Sequence, residues 1–210
     1  MEPHDETSGH WERIYSQRSA NERSWTEDVP VASLSLVDLI QLPTDAAIID
    51  IGGGASTFAD ELLNRGYTDL TVLDIAQVAL NELRLRVETA NPPPTIRPTL
   101  LTANILDWQP QRTFALWHDR AVFHFLVNDD ERIAYRDRLG ESTALGSHVI
   151  LATFAPTGPE SCSGLSVRRY STSELVDFFS PIASVISTSA HEHITPNGAK
   201  QPFSWVVLRR

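Results

Sequence analysis

An apolar stretch, Ala46-Ala-Ile-Ile49, runs into Asp50-Ile51 and then three consecutive glycines, Gly52–Gly54; no other feature constrains this chain as much. Isoleucine-rich runs of this length read as strands buried on both faces, the habit of parallel sheets. Glycines directly after such a strand allow a tight turn and a close approach of backbone to a ligand. Further on, a second apolar strand, Leu70-Thr-Val-Leu73, ends in Asp74, 20 residues after Gly54. An acid at that distance, on the tip of the neighbouring strand, suits the two hydroxyls of a ribose. It has a plainer reading too, as a cap for the helix that follows.

The same alternation continues down the chain. Helical spacing over 57–65 and 76–89 separates strands at 46–51, 70–74 and about 96–101, the last reached through Pro92-Pro93-Pro94. Strands follow at 113–118 and 148–154, with a helix over about 130–139 between them and another over 172–179. Apolar segments at 182–187 and 203–208 flank Pro196-Asn-Gly198, as an antiparallel pair would. The expectation is an α/β fold: a Rossmann-like, seven-stranded, mostly parallel sheet with helices on both faces and an antiparallel C-terminal strand pair. One domain should fill residues 1–210, with 1–9 disordered, 10–44 a helical cap carrying Trp11, Tyr15 and Trp25, and 45–210 the ligand-binding core.

Detail at the glycines selects among adenosine-bearing ligands. A dinucleotide fingerprint needs Gly-x-Gly-x-x-Gly, but Thr57 stands where the third glycine belongs. No Gly-Lys-Ser/Thr follows, which excludes a phosphate-binding P-loop. An acid ahead of the glycines suits a cationic ligand better than a pyrophosphate. Asp50-Ile-Gly52-Gly-Gly54 resembles the first motif, Asp-x-Gly-x-Gly, of the class I S-adenosylmethionine-dependent methyltransferases. The resemblance covers about residues 45–155. It implies S-adenosyl-L-methionine as cofactor, with Asp50, Gly52, Gly53 and Gly54 bordering its methionine part and Asp74, beside Ile75, on its ribose. Asn104 and Ile105 fall where family members contact the adenine, although the usual residue there is Asp; an amide oxygen accepts the same hydrogen bond. Trp25 and His118 complete the expected cofactor set.

A closer likeness rests on short segments. Asp119-Arg120-Ala121 after the fourth strand, the Arg132–Tyr135 helix and Gly158-Pro159…Ser166-Val167 resemble the thiopurine methyltransferase group and related small-molecule methyltransferases, with Glu160 a departure after Pro159. The implied reaction moves a methyl group to a small acceptor, a thiol or another soft nucleophile. A sulfonium methyl is already activated, so the protein has mainly to align the acceptor and exclude water. Asp119, Arg120 and His124 are the catalytic candidates: a carboxylate or imidazole to take a proton, and a guanidinium to hold an anionic group. Each has a bland alternative, a structural ion pair for Arg120 and a packed core histidine for His124 between Phe123 and Phe125.

Composition narrows the partners. A formal net charge of −10 over 210 residues argues against nucleic acid, which needs a basic footprint. No run approaches the roughly 20 apolar residues of a membrane span, and the N-terminus lacks the character of a signal peptide. One cysteine, Cys162, precludes an internal disulfide framework and makes the cytoplasm the expected compartment. Cys162 with His191 and His193 lacks metal-ligand spacing, so no metal is expected. Two rival readings stay open: a protein lysine methyltransferase, whose acidic surface would attract a basic partner, and a cofactor-binding module without turnover. A nicotinamide-dependent oxidoreductase fits less well.

Overall fold

A computed structural model describes residues 3–210, Pro3, His4 and Asp5 by backbone only. Helix α1 (Pro3–Gln17) and α2 (Val31–Ile40) precede an alternating core: β1 (Ile48–Ile51), α3 (Phe58–Asn64), β2 (Leu70–Asp74), α4 (Gln77–Thr89), β3 (Thr99–Thr102), β4 (Phe114–Arg120), α5 (Asp129–Ser142) and β5 (Thr143–Phe154). A short hairpin, β6 (Ser161–Cys162) and β7 (Leu165–Ser166), then leads to α6 (Thr172–Phe179), β8 (Ser184–Ile194) and β9 (Lys200–Arg209).

The seven long strands form one sheet in the order β3-β2-β1-β4-β5-β9-β8. β3, β2, β1, β4 and β5 are mutually parallel, while β9 runs antiparallel to both β5 and β8. This is the expected architecture, C-terminal antiparallel pair included. The order reverses between β1 and β4, the switch point where a crevice opens beyond the carboxyl ends of the strands.

Strand alternation builds two cores. Ile48, Leu116, Ile150 and Val207 face α2 and α3, joined by Leu34, Val37, Phe58 and Leu62. Val72 on the same side packs against Leu80, Leu83 and Val87 of α4. Ile49, Leu73, Trp117, Val149 and Val206 point the other way, onto Tyr135 and Leu139 of α5 and Leu175 and Phe179 of α6. β1 is buried at all four positions, its three isoleucines packed in the cores and Asp50 buried with them.

Two local expectations need correcting. Residues 3–9, expected to be disordered, belong to α1; residues 1 and 2 lie outside the described residues. Tertiary bonds order this helix: Ser8 Oγ donates to the Ile75 carbonyl (3.3 Å), and the Glu12 carboxylate accepts from the Gln77 and Val78 amides (2.7 and 3.2 Å). Glu12 thereby supplies the N-terminal acceptor that α4, preceded by Ala76, lacks in its own sequence. β8 and β9 are far longer than the apolar segments that announced them, because pairing with each other satisfies the polar residues between. Residues 161–166 form a two-residue hairpin with Ser163 and Gly164 both at positive φ (51° and 83°), the turn type that matches strand twist.

Candidate functional site

A cavity of about 570 Å³ opens at the switch point. Its floor is the carboxyl ends of β1, β2 and β4, contributing Asp50, Gly52, Gly53, Asp74, Ile75, His118 and Arg120. Ala103, Asn104, Ile105 and Leu106 line one end. Trp11, Tyr15 and Trp25 from the N-terminal cap, Phe125, and Cys162 and Leu165 of the small hairpin complete the walls. Trp11 meets Trp25 and Phe125 edge-on at 5.8 and 5.2 Å, so the cap is one interlocked aromatic layer.

Two of the three glycines owe their identity to the acids beside them. A side chain on Gly53 would sit 2.3 Å from Asp50 Oδ2, and one on Gly54 would sit 2.6 Å from Asp74 Oδ2 and 2.9 Å from the Tyr15 hydroxyl. Gly52, at φ +64°, would collide with Val122. Gly52 and Gly53 line the cavity; Gly54, expected to border a ligand, does not, because Asp74 and Tyr15 fill the space in front of it. Arg86 fastens the turn from behind, donating to the Ala55 and Ser56 carbonyls (3.0 and 2.7 Å) while paired with Asp60.

The two strand-tip acids have different surroundings. Asp74 accepts the Ala76 amide at 2.8 Å, and burial, with Asp50 and Glu12 nearby, pushes its carboxyl up to about 7. Asp50 Oδ1 lies 2.6 Å from His118 Nδ1, and His118 Nε2 lies 2.9 Å from the hydroxyl of Ser33 on α2. Phe58 stacks on the imidazole at 4.0 Å and fixes its plane. Nothing in the local sequence flagged Ser33, which comes 85 residues before its partner.

β4 divides its own candidates by the alternation of strand side chains. His118 and Arg120 point toward the cavity; Asp119 points into the opposite core and is 0% exposed. Asp119 was expected to act on the acceptor, and the structure corrects this. Its carboxylate accepts from the Val122 and Phe123 amides (2.8 and 3.1 Å) and from the Tyr135 hydroxyl, supporting the turn in which Ala121 adopts φ +75°. Burial raises this carboxyl to about 6 even so. His124 is likewise corrected: it is fully buried outside the cavity, its Nδ1 accepts the Phe154 amide at 3.3 Å, and burial, then the Arg120 charge, lowers its pKa to about 3. A neutral, enclosed imidazole is no base for a ligand it does not meet.

Arg120 does reach the cavity, but not as an open fork. Nη1 donates to the Trp25 carbonyl at 3.0 Å, and Nη2 lies 3.4 Å from Glu27 Oε1. His193 of β8 reinforces the same segment, its Nε2–H donating to the Ser24 carbonyl at 2.7 Å, with Nδ1 3.3 Å from Glu27. Arg120 and His193 therefore clasp the cap onto the sheet. Cys162 faces the cavity, where burial pushes its thiol up. Trp25, Ile75, Asn104 and Ile105 line the cavity; Asn104 Oδ1 accepts the Leu106 amide at 3.0 Å and shapes that end.

The cavity is acidic. Glu27, Asp28, Asp50, Asp74, Glu82 and Glu131 line it against Arg23, Arg86 and Arg120, each of which is already paired with a carboxylate. The Gly52 amide is also committed, to the Leu73 carbonyl at 2.7 Å. The acidic lining therefore suits a cationic ligand better than a pyrophosphate.

Known structures share this fold. A protein of echinomycin biosynthesis, reported with the conversion of a disulfide bond into a thioacetal group, superposes with a TM-score of 0.74 at 18% identity, over 97% of this chain and 92% of that one. The Burkholderia thailandensis 1,6-didemethyltoxoflavin N1-methyltransferase, solved with bound 1,6-didemethyltoxoflavin and S-adenosylhomocysteine, gives 0.73 at 15% identity, over 100% and 91%. The N-methyltransferase NodS of Bradyrhizobium japonicum, solved with S-adenosylhomocysteine, gives 0.68 at 14% identity, over 95% and 97%. This chain has the class I methyltransferase fold. No family model and no curated protein matches its sequence. Among the described residues no helix is long and apolar enough to cross a membrane.

Proposed function

We propose that the protein is an S-adenosylmethionine-dependent methyltransferase acting on a small molecule. The observation that carries this reading is the pair of buried strand-tip acids, Asp50 and Asp74, in an acidic cavity whose arginines are all paired. Asp74 would take the ribose hydroxyls, Ala103–Leu106 would flank the adenine, and the Asp50–Gly53 turn would face the cationic methionine end. Likeness to methyltransferase structures that hold S-adenosylhomocysteine supports the same reading. When bound, the cofactor supplies a methyl group on a sulfonium, an electrophile that needs no further activation.

The chain's own residues then align the acceptor and keep water out. Trp11, Trp25, Phe125 and Leu165 make the remaining wall, mostly apolar, which suits a small soft nucleophile such as a thiol. The Arg120–Glu27–His193 clasp holds Trp25 over the site, and so acts on the acceptor through the cap.

The test is transfer from isotopically labelled S-adenosylmethionine into a cell extract, separated into small-molecule and macromolecular fractions. Enzyme-dependent label in the small fraction is expected. Label on one protein band would replace this reading by a protein methyltransferase. Cofactor binding with no label in either fraction would favour a module without turnover.

A further inference from the structure

Asp50, His118 and Ser33 form an unbroken chain of polar atoms at the bottom of the cavity, and all three line it. Their exposures are 4%, 2% and 1%. A carboxylate 2.6 Å from Nδ1 fixes the imidazole as the tautomer with hydrogen on Nδ1. Nε2 is then the acceptor, and the Ser33 hydroxyl, 2.9 Å away, donates to it. Phe58, stacked at 4.0 Å, removes the ring's freedom to turn away. Hydroxyl, imidazole and carboxylate in this sequence are the arrangement by which proteins draw a proton from an oxygen and stabilise the resulting imidazolium. The three come from different elements, α2, β4 and β1, so no sequence motif announces them.

The groups first expected to handle a proton are committed elsewhere. Asp119 and His124 do not line the cavity, and the Cys162 thiol is held in its neutral form by burial. Ser33, His118 and Asp50, by contrast, line the cavity as one hydrogen-bonded chain. We propose that it is a proton relay whose terminal hydroxyl, Ser33, takes the proton of the methyl acceptor. This rests on the methyltransferase reading above. The acceptor's nucleophilic atom gains the methyl group, the electron pair of the old carbon–sulfur bond staying on the cofactor sulfur. The acceptor's X–H bond gives its proton to Ser33 Oγ while the serine proton passes to His118 Nε2. The imidazolium, paired with Asp50, releases that proton to solvent once product has left. The acceptor class follows: a nucleophile that carries a proton at neutral pH, such as a thiol, an amide or ring N–H, or a phenol, rather than a free halide or a tertiary amine.

The relay can be read without knowing the acceptor, because a hydroxyl that passes its proton to His118 is also a reactive nucleophile. Diisopropyl fluorophosphate is the probe: Ser33 Oγ bonds to phosphorus, fluoride leaves, and the serine proton goes to Nε2. The protein is treated with and without saturating S-adenosylhomocysteine and followed by intact mass and peptide mapping. We expect one adduct, at Ser33. Labelling should slow by about 100-fold or more in His118→Gln and vanish in Ser33→Ala, each checked for folding by its melting curve. It should persist in the S-adenosylhomocysteine complex, since a hydroxyl that meets the acceptor stays reachable there. No adduct at Ser33, or an equal rate in a folded His118→Gln protein, would overturn the relay. Complete protection by S-adenosylhomocysteine would overturn its role toward the acceptor. Failure to bind S-adenosylhomocysteine, measured by calorimetry on the same preparation, would instead remove the methyltransferase reading beneath it.

Discussion

Asp74 and Asp119 end neighbouring regions of the sheet in similar ways and do opposite things. Both are buried carboxylates at or near the carboxyl end of a parallel strand, and burial pushes both up, to about 7 and about 6. Asp119 faces the core between the sheet and α5, where two amides and a tyrosine hydroxyl use its oxygens. Asp74 faces the cavity and spends one oxygen on the Ala76 amide. A buried acid whose hydrogen bonds close within the protein holds a turn together. One that fronts a cavity is held at a cost to stability that a ligand can offset.

The largest effect that would break this contrast comes from Asp119→Ala. It leaves the Val122 and Phe123 amides and the Tyr135 hydroxyl without their acceptor, at roughly 1–3 kcal/mol for each buried group. We expect a loss of about 3 kcal/mol or more by denaturant unfolding. An unchanged midpoint would mean that Asp119 does not support the turn.

Asp74→Ala should act on the ligand instead. Removing charge-assisted hydrogen bonds to a ribose costs roughly 1.5–3 kcal/mol, or about 10- to 150-fold in S-adenosylhomocysteine affinity by calorimetry. Unfolding of the unliganded protein should be unaffected or harder. Equal affinity in the variant would take Asp74 off the ribose.

pH separates the pair further. A ribose hydroxyl donates to the ionised carboxylate, so a group that titrates at about 7 predicts affinity roughly tenfold weaker at pH 6 than at pH 8. The sign for stability is the reverse. An acid raised on folding binds its proton more tightly in the native state, so unliganded stability falls as pH rises from about 4 toward 7. Asp119 adds to that slope up to about pH 6. Asp74→Asn should remove its share and flatten the affinity profile. A flat wild-type profile would refute the raised carboxyl.

The smallest effect is expected at His124. Replacement by Asn should cost about 1 kcal/mol through the Phe154 amide and leave S-adenosylhomocysteine affinity unchanged. A large loss of affinity would return His124 to the site.

How much of this was legible follows from the range of each interaction. The two site acids Asp50 and Asp74 and the glycines sit next to strands whose apolar runs are visible locally. The division within β4 was legible as well, since period two puts His118 and Arg120 on one face and Asp119 on the other; treating all three as strand-end candidates missed it. The order in α1 was not legible, because it depends on Glu12 bonding amides 65 and 66 residues away. The small hairpin left a faint trace in Ser163-Gly164, a pair suited to a turn with positive φ.

The alternation of apolar strands with helical spacing, together with the glycine turn between two acids, determined a doubly wound sheet and the floor of its ligand site. Both depend on neighbours along the chain. Tertiary structure decided which partners each of these side chains meets. A side chain's role depends on what lies within about 3 Å of it, and for Ser33, His118 and Arg120 those partners come from other elements of the chain. The sheet order that brings β1 beside β4, and α2 above both, sets the chemistry of this cavity.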